Sequence, residues 1–125
     1  MCHDYLMQKA SKTEDPMLRL SYIAAIVVSH YSLTMNRITK PFNPILGETF
    51  EMFGNGWKLI AEQVSHHPPI SALTVQAEKY EIRMNTSMTQ KFWGKSMEFT
   101  PIGKMHFFFH DTGDHFIVSR PNTAC

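Results

Sequence analysis

Glu62-Gln63-Val64-Ser65-His66-His67-Pro68-Pro69 places two adjacent imidazoles directly before two prolines. Proline fixes φ and withholds a backbone donor, so a strand has to stop here and the chain has to turn. Neighbouring side chains of a strand point to opposite faces, and a turn at Pro68 breaks that alternation, letting both rings converge on one group. A rigid pair of imidazole N–H donors suits an anion.

Working outward, the residues on either side read as strands. Thr49 to Phe53 and Trp57 to Val64 flank Gly54-Asn55-Gly56, a hairpin signal because glycine and asparagine tolerate positive φ. Downstream, the pattern predicts strands over Ile70 to Ala77, Tyr80 to Thr86, Lys91 to Phe99 and Lys104 to Phe109. Thr112-Gly113-Asp114 then turns into a last strand, His115 to Ser119. Phe107-Phe108-Phe109 reads as a segment buried on both faces. Seven short strands in succession make a meander over about 48–120, with the turn spacing of a strongly curved antiparallel sheet or part of a barrel.

Upstream of Gly47 the hydrophobic period is different. Met17, Leu20, Ile23, Ala24, Val27, Val28 and Tyr31 recur at three and four residues, which predicts one amphipathic helix from Pro16 to about Met35. Asp15 can cap it, and Pro16 suits a first turn whose N–H would be unpaired anyway. A shorter helix is expected around His3 to Ser11, so helices cover about 3–36. A proline-bounded loop over 37–47 carries Lys40 to Pro44. The fold class is therefore α+β.

Composition narrows the function. The chain has 125 residues, 43% hydrophobic and 18% charged, which suits one globular domain. A net charge of +1 with interspersed signs makes no basic stripe, against a nucleic-acid partner and against purely electrostatic membrane attachment. Cys2 and Cys125 make neither a disulfide framework nor a zinc spacing, which fits a reducing cytosol. The first residues do not read as a secretory signal. Tyr22 to Val28 is far short of the ~20 apolar residues that cross a bilayer, so any membrane contact is expected to be peripheral.

Glu62 to Pro69 resembles the signature of the oxysterol-binding protein family of lipid-transfer proteins. Lys40-Pro41-Phe42-Asn43-Pro44-Ile45-Leu46-Gly47-Glu48-Thr49 is similar to that family's other hallmark, and Phe92-Trp93-Gly94-Lys95-Ser96 and Pro101-Ile102-Gly103 extend the likeness from about Asp15 onward. The resemblance implies a large β-barrel with a lipid tunnel, of which residues 1–125 would be an N-terminal portion, an incompletely closed barrel lacking the lid, the closing strands and the C-terminal helices. It also implies a lipid-binding protein without enzymatic activity or cofactor, cytoplasmic and peripherally associated with organelle membranes at contact sites. Its ligands would be phosphatidylinositol 4-phosphate and a second lipid, a sterol or phosphatidylserine, exchanged between membranes.

By the same resemblance, Lys40, Asn43, His66 and His67 hold the head-group phosphate. The residue chemistry agrees, since a phosphomonoester binds where charge-assisted donors converge: an ammonium, an amide, two imidazoles and the backbone N–H of Phe42. Glu48 and Glu62 read as orienting groups or lysine partners. Two rival readings use the same residues. A metal-dependent hydrolase would recruit Glu62, His66, His67, His106 and His110, yet no spaced His or Cys pattern accompanies them, and no glycine-framed elbow supports a Ser65–His66 nucleophile. A truncated remnant with an interaction or structural role and no transfer activity is the other.

Overall fold

The computed structural model describes residues 4–124. Met1, Cys2, His3 and Cys125 lie outside the described residues, and with them the first position of the expected short helix and both cysteines. Helix α1 spans Asp4–Lys12 and α2 spans Pro16–Ser29, continued by a 3₁₀ turn over His30–Thr34. Asp15 caps α2 as its sequence implies: the Met17 N–H donates to Asp15 Oδ1 at 3.0 Å, and Pro16 occupies the first turn.

The buried face of α2 is only partly the one its apolar spacing predicts: Ile23 and Val27 are shared, the rest differ. Arg19, Ile23, Ile26 and Val27 are buried, whereas Met17, Leu20, Ala24, Val28 and Tyr31 are exposed. The reason is Arg19. Its Nε donates to the Ala10 carbonyl at 3.1 Å and its Nη1 to Thr112 Oγ1 at 2.7 Å. Nη1 also pairs with Asp114, and Nη2 donates to the Thr13 carbonyl. The guanidinium lies 4.7 Å from the Phe109 ring centre. Satisfying this charge rotates the helix and clamps the α1–α2 link onto the turn after Phe109.

Among the described residues eight strands follow: β1 Thr49–Gly54, β2 Trp57–His66, β3 Pro69–Ala77, β4 Tyr80–Phe92, β5 Met97–Ile102, β6 Lys104–Phe109, β7 His115–Ser119 and β8 Thr123–Ala124. They form one antiparallel, unclosed sheet in the order β1-β2-β3-β4-β5-β8, with β6 pairing β4 and β7. Strand β4 runs well past Thr86, because its first half pairs with β6 and its second half with β5 in the same register. The expected strand Lys91 to Phe99 is thus two strand ends around a turn, where Gly94 takes φ +77° and the Trp93 N–H donates to the Ser96 carbonyl at 2.9 Å. Strands β5 and β6 are two parts of one ribbon, interrupted at Gly103. Across from it, β7 and β8 are interrupted around Arg120.

The inner face of the sheet meets the helices. Met7, Ala10, Ile23, Ile26 and Val27 pack with Trp57, Val75, Tyr80, Ile82, Met105, Phe107 and Phe109. Phe108 departs from the expected two-sided burial. It is only partly covered, on the outer face, where it stacks on His115 with ring centres 4.2 Å apart. Among the described residues no helix is long and apolar enough to cross a membrane.

Candidate functional site

The loop that carries Lys40, Phe42 and Asn43 is tied to the strand that carries the histidines. The Gly47 N–H donates to the Gln63 carbonyl at 2.8 Å, and the Gln63 N–H to the Glu48 carbonyl at 3.0 Å. Glu48 also caps the loop from within, its Oε2 accepting from the Ile45 N–H at 2.9 Å. Gly47 makes this entry possible with φ +78°, a conformation that costs glycine little. Glu48 therefore orients the loop backbone rather than a histidine, and among the described residues Glu62 makes no salt bridge.

At Gln63 strand β2 changes. Gln63 faces Ser71, but Ser65 faces Ile70, so Val64 is an extra residue, a bulge. Beyond it, His66 stands opposite Pro69, on the strand parity that Gln63 and Ser71 occupy. Without the bulge, alternation would put His66 on the outer face. Gln63 itself is buried and satisfied: its Nε2 donates to the Ser65 carbonyl at 2.9 Å and its Oε1 accepts from the Ser71 hydroxyl. His66 and His67 are both exposed, with ring centres 4.3 Å apart and planes inclined by 52°. The peptide bond between His67 and Pro68 is cis.

A cavity of about 250 Å³ opens beside this turn. Lys40 and Asn43 line it together with Gln63, Ser71, Gln90 and Arg120, and Pro69 forms part of its rim. Among the described residues that line it there is no carboxylate. The structure thus brings Lys40 and Asn43 together; neither imidazole reaches the lining, and the Phe42 side chain is fully exposed. A second cavity of about 330 Å³ is almost entirely apolar, walled by residues including Ile26, Leu73, Val75, Met84, Met105 and Phe107. Arg120 lines both.

Gln63 and Arg120 carry no role in the sequence reading. Gln63 stood inside the signature, but only the bulge shows why it is buried. Arg120 was accessible by strand period, since Phe116, Val118 and Arg120 alternate with the exposed His115, Ile117 and Ser119. The metal-centre reading has no site among the described residues, where no three His, Cys, Asp or Glu side chains converge. His106 instead contacts His115, with Nδ1 and Nε2 2.9 Å apart, and His110 Nδ1 lies 2.9 Å from the Glu78 carbonyl.

The sequence profile of the family described as oxysterol-binding protein matches residues 1–125. The chain belongs to the oxysterol-binding protein family. Human oxysterol-binding protein-related protein 7 is 46% identical over 123 residues, covering 96% of this chain and 14% of the relative. Oxysterol-binding protein 11 of Dictyostelium discoideum is 38% identical over 122 residues, covering 96% of the chain and 21% of that protein. Among solved structures, the Osh3 ORD of Saccharomyces cerevisiae in complex with PI(4)P superposes with a TM-score of 0.87 at 34% identity, over 98% of this chain and 33% of that one. The Osh1 ORD domain in complex with ergosterol gives 0.87 at 36% identity, over 98% and 31%. The chain therefore spans a small part of the curated oxysterol-binding relatives and about a third of the solved domains.

Proposed function

We propose that these residues form part of a domain that binds phosphatidylinositol 4-phosphate and exchanges it for a sterol or phosphatidylserine at membrane contact sites. Lys40, Asn43, His66 and His67 hold the head group, with the Phe42 N–H as a further donor. The observation that carries this reading is the adjacency of two cavities, one polar and lined by Lys40 and Asn43, one apolar, in a chain whose solved relatives hold PI(4)P or a sterol. An amphiphile needs both environments side by side: donors for its phosphate and an apolar chamber for its chains or rings. The protein acts by binding rather than catalysis, from the cytoplasmic side, through peripheral membrane contact.

The test is co-sedimentation of the completed domain, with the further length that the solved relatives have, with liposomes that contain or lack phosphatidylinositol 4-phosphate. Replacing His66 and His67 together by Ala removes two charge-assisted bonds of roughly 1.5–3 kcal/mol each, so affinity for the phosphoinositide falls at least about a hundredfold. Sterol binding is retained. Equal phosphoinositide binding by the double variant would remove the histidines from the site.

A further inference from the structure

We infer that Arg120 is a ligand-binding residue, the cation that holds the phosphodiester of an anionic lipid at the boundary between its head group and its chains. The inference rests on the proposed function and assigns a residue to it. Three observations carry it. Arg120 lines both cavities, the polar one with Lys40 and Asn43 and the apolar one with Ile82, Met84 and Phe107. Its Nη2 is buried and has no hydrogen-bond partner among the described residues, and Arg120 makes no salt bridge among them. Among the described residues the polar cavity is lined by two cationic side chains and no carboxylate.

A buried guanidinium edge without a partner is costly, and natural proteins rarely leave one so. Arg19 shows the contrast within the same chain, with all its nitrogens engaged and a carboxylate at Asp114. Arg120 is placed by the seam of the sheet. Strands β7 and β8 are interrupted there, opposite the interruption between β5 and β6 at Gly103, and the break directs the residue to where the two cavities meet. In a glycerophospholipid the phosphodiester is the group that joins the polar head to the acyl chains. It is an anion with two free oxygens, which suits the planar fork of arginine better than the point charge of lysine.

The experiment measures binding by a longer chain, with the further length that the solved relatives have, and by its Arg120→Met, Arg120→Lys and Lys40→Met variants. The probes are short-chain phosphatidylinositol 4-phosphate, short-chain phosphatidylinositol, chain-free glycerophosphoinositol and a sterol. The expected result is that Arg120→Met loses about tenfold or more in affinity for both phospholipids, which share the diester, while Arg120→Lys loses less. Sterol affinity should stay within about twofold, which also shows that the variant is folded. Glycerophosphoinositol should bind more weakly than either lipid. Phospholipid binding lost in Lys40→Met but retained in Arg120→Met overturns the inference and leaves the proposed function standing. Binding retained in both variants, or absent from the unaltered chain, overturns the proposed function and the inference with it. Glycerophosphoinositol bound as tightly as the lipids also overturns the inference, because the site would then read an anion alone.

Discussion

Tyr80 is buried where β4 begins, and its phenol pKa is pushed up to about 12, first by burial and then by the nearby Asp4 carboxylate. Below pH 10 folded and unfolded chains both carry the neutral phenol, and stability does not depend on pH through this group. Between about pH 10 and 12 the unfolded chain loses the proton while the folded chain keeps it, so stability falls as pH rises, and the fall is complete above about 12. Denaturant midpoints followed from pH 9 upward should therefore decline more steeply in the unaltered protein than in Tyr80→Phe; parallel curves would mean the phenol is solvated. Among the candidate site residues, those legible in the sequence were the ones with conspicuous chemistry, Lys40, Asn43 and the histidine pair. Gln63 was not, because its burial comes from a bulge at Val64 that only the pairing register reveals, and strand period gave the side of Arg120 but not the break beside Pro121 that sets it between two cavities.

At the level of elements, the seam across β4, β5–β6 and β7–β8 depends on one glycine. Gly103 takes φ +100°, and a Cβ added there would stand 2.7 Å from the Asn85 carbonyl oxygen. Gly103→Ala should therefore cost about 1–3 kcal/mol from backbone strain and a further ~1–3 kcal/mol from overpacking. Gly113→Ala separates the two effects. Gly113 also has positive φ, at +74°, but a Cβ there meets nothing within 4 Å, so this variant should show the dihedral cost alone. Equal destabilisation of the two variants, read from denaturant unfolding, would show that the seam has room to give. Most elements could be read from the sequence, because strand alternation and the Gly54-Asn55-Gly56 turn are local signals. Two of the misread features were long-range in origin. Strand β4 is extended by pairing with β5, beyond the point where its own alternation fades, and the face of α2 is turned by a charge pair to Asp114, far along the chain.

For the molecule as a whole, the sheet is open and its apolar surface is not all covered. Phe50 and Met52 of β1 stand opposite Ala61 and Leu59, on the inner face, yet both are exposed. Met17 and Val28 on α2 and Ile38, Phe42, Ile45 and Leu46 in the loop are exposed as well. Among the described residues strand β1 pairs with β2 alone, so its other edge presents unpaired N–H and C=O groups next to that apolar strip. Such an edge is a template for pairing with another chain. Residues 1–125 expressed by themselves should consequently bind a hydrophobic dye and self-associate at concentrations on the order of 10 μM, with a broad unfolding transition. Placing lysine at Phe50 and Met52 sets charges on the open edge and should shift the chain toward monomer in sedimentation velocity, without raising its melting temperature. A longer chain, with the further length that the solved relatives have, should suppress dye binding where the lysine variant only suppresses association. The outcome that would sink this argument is a dye-silent, monomeric 125-residue chain with one sharp transition, because the exposed strip on β1 would then need no cover at all.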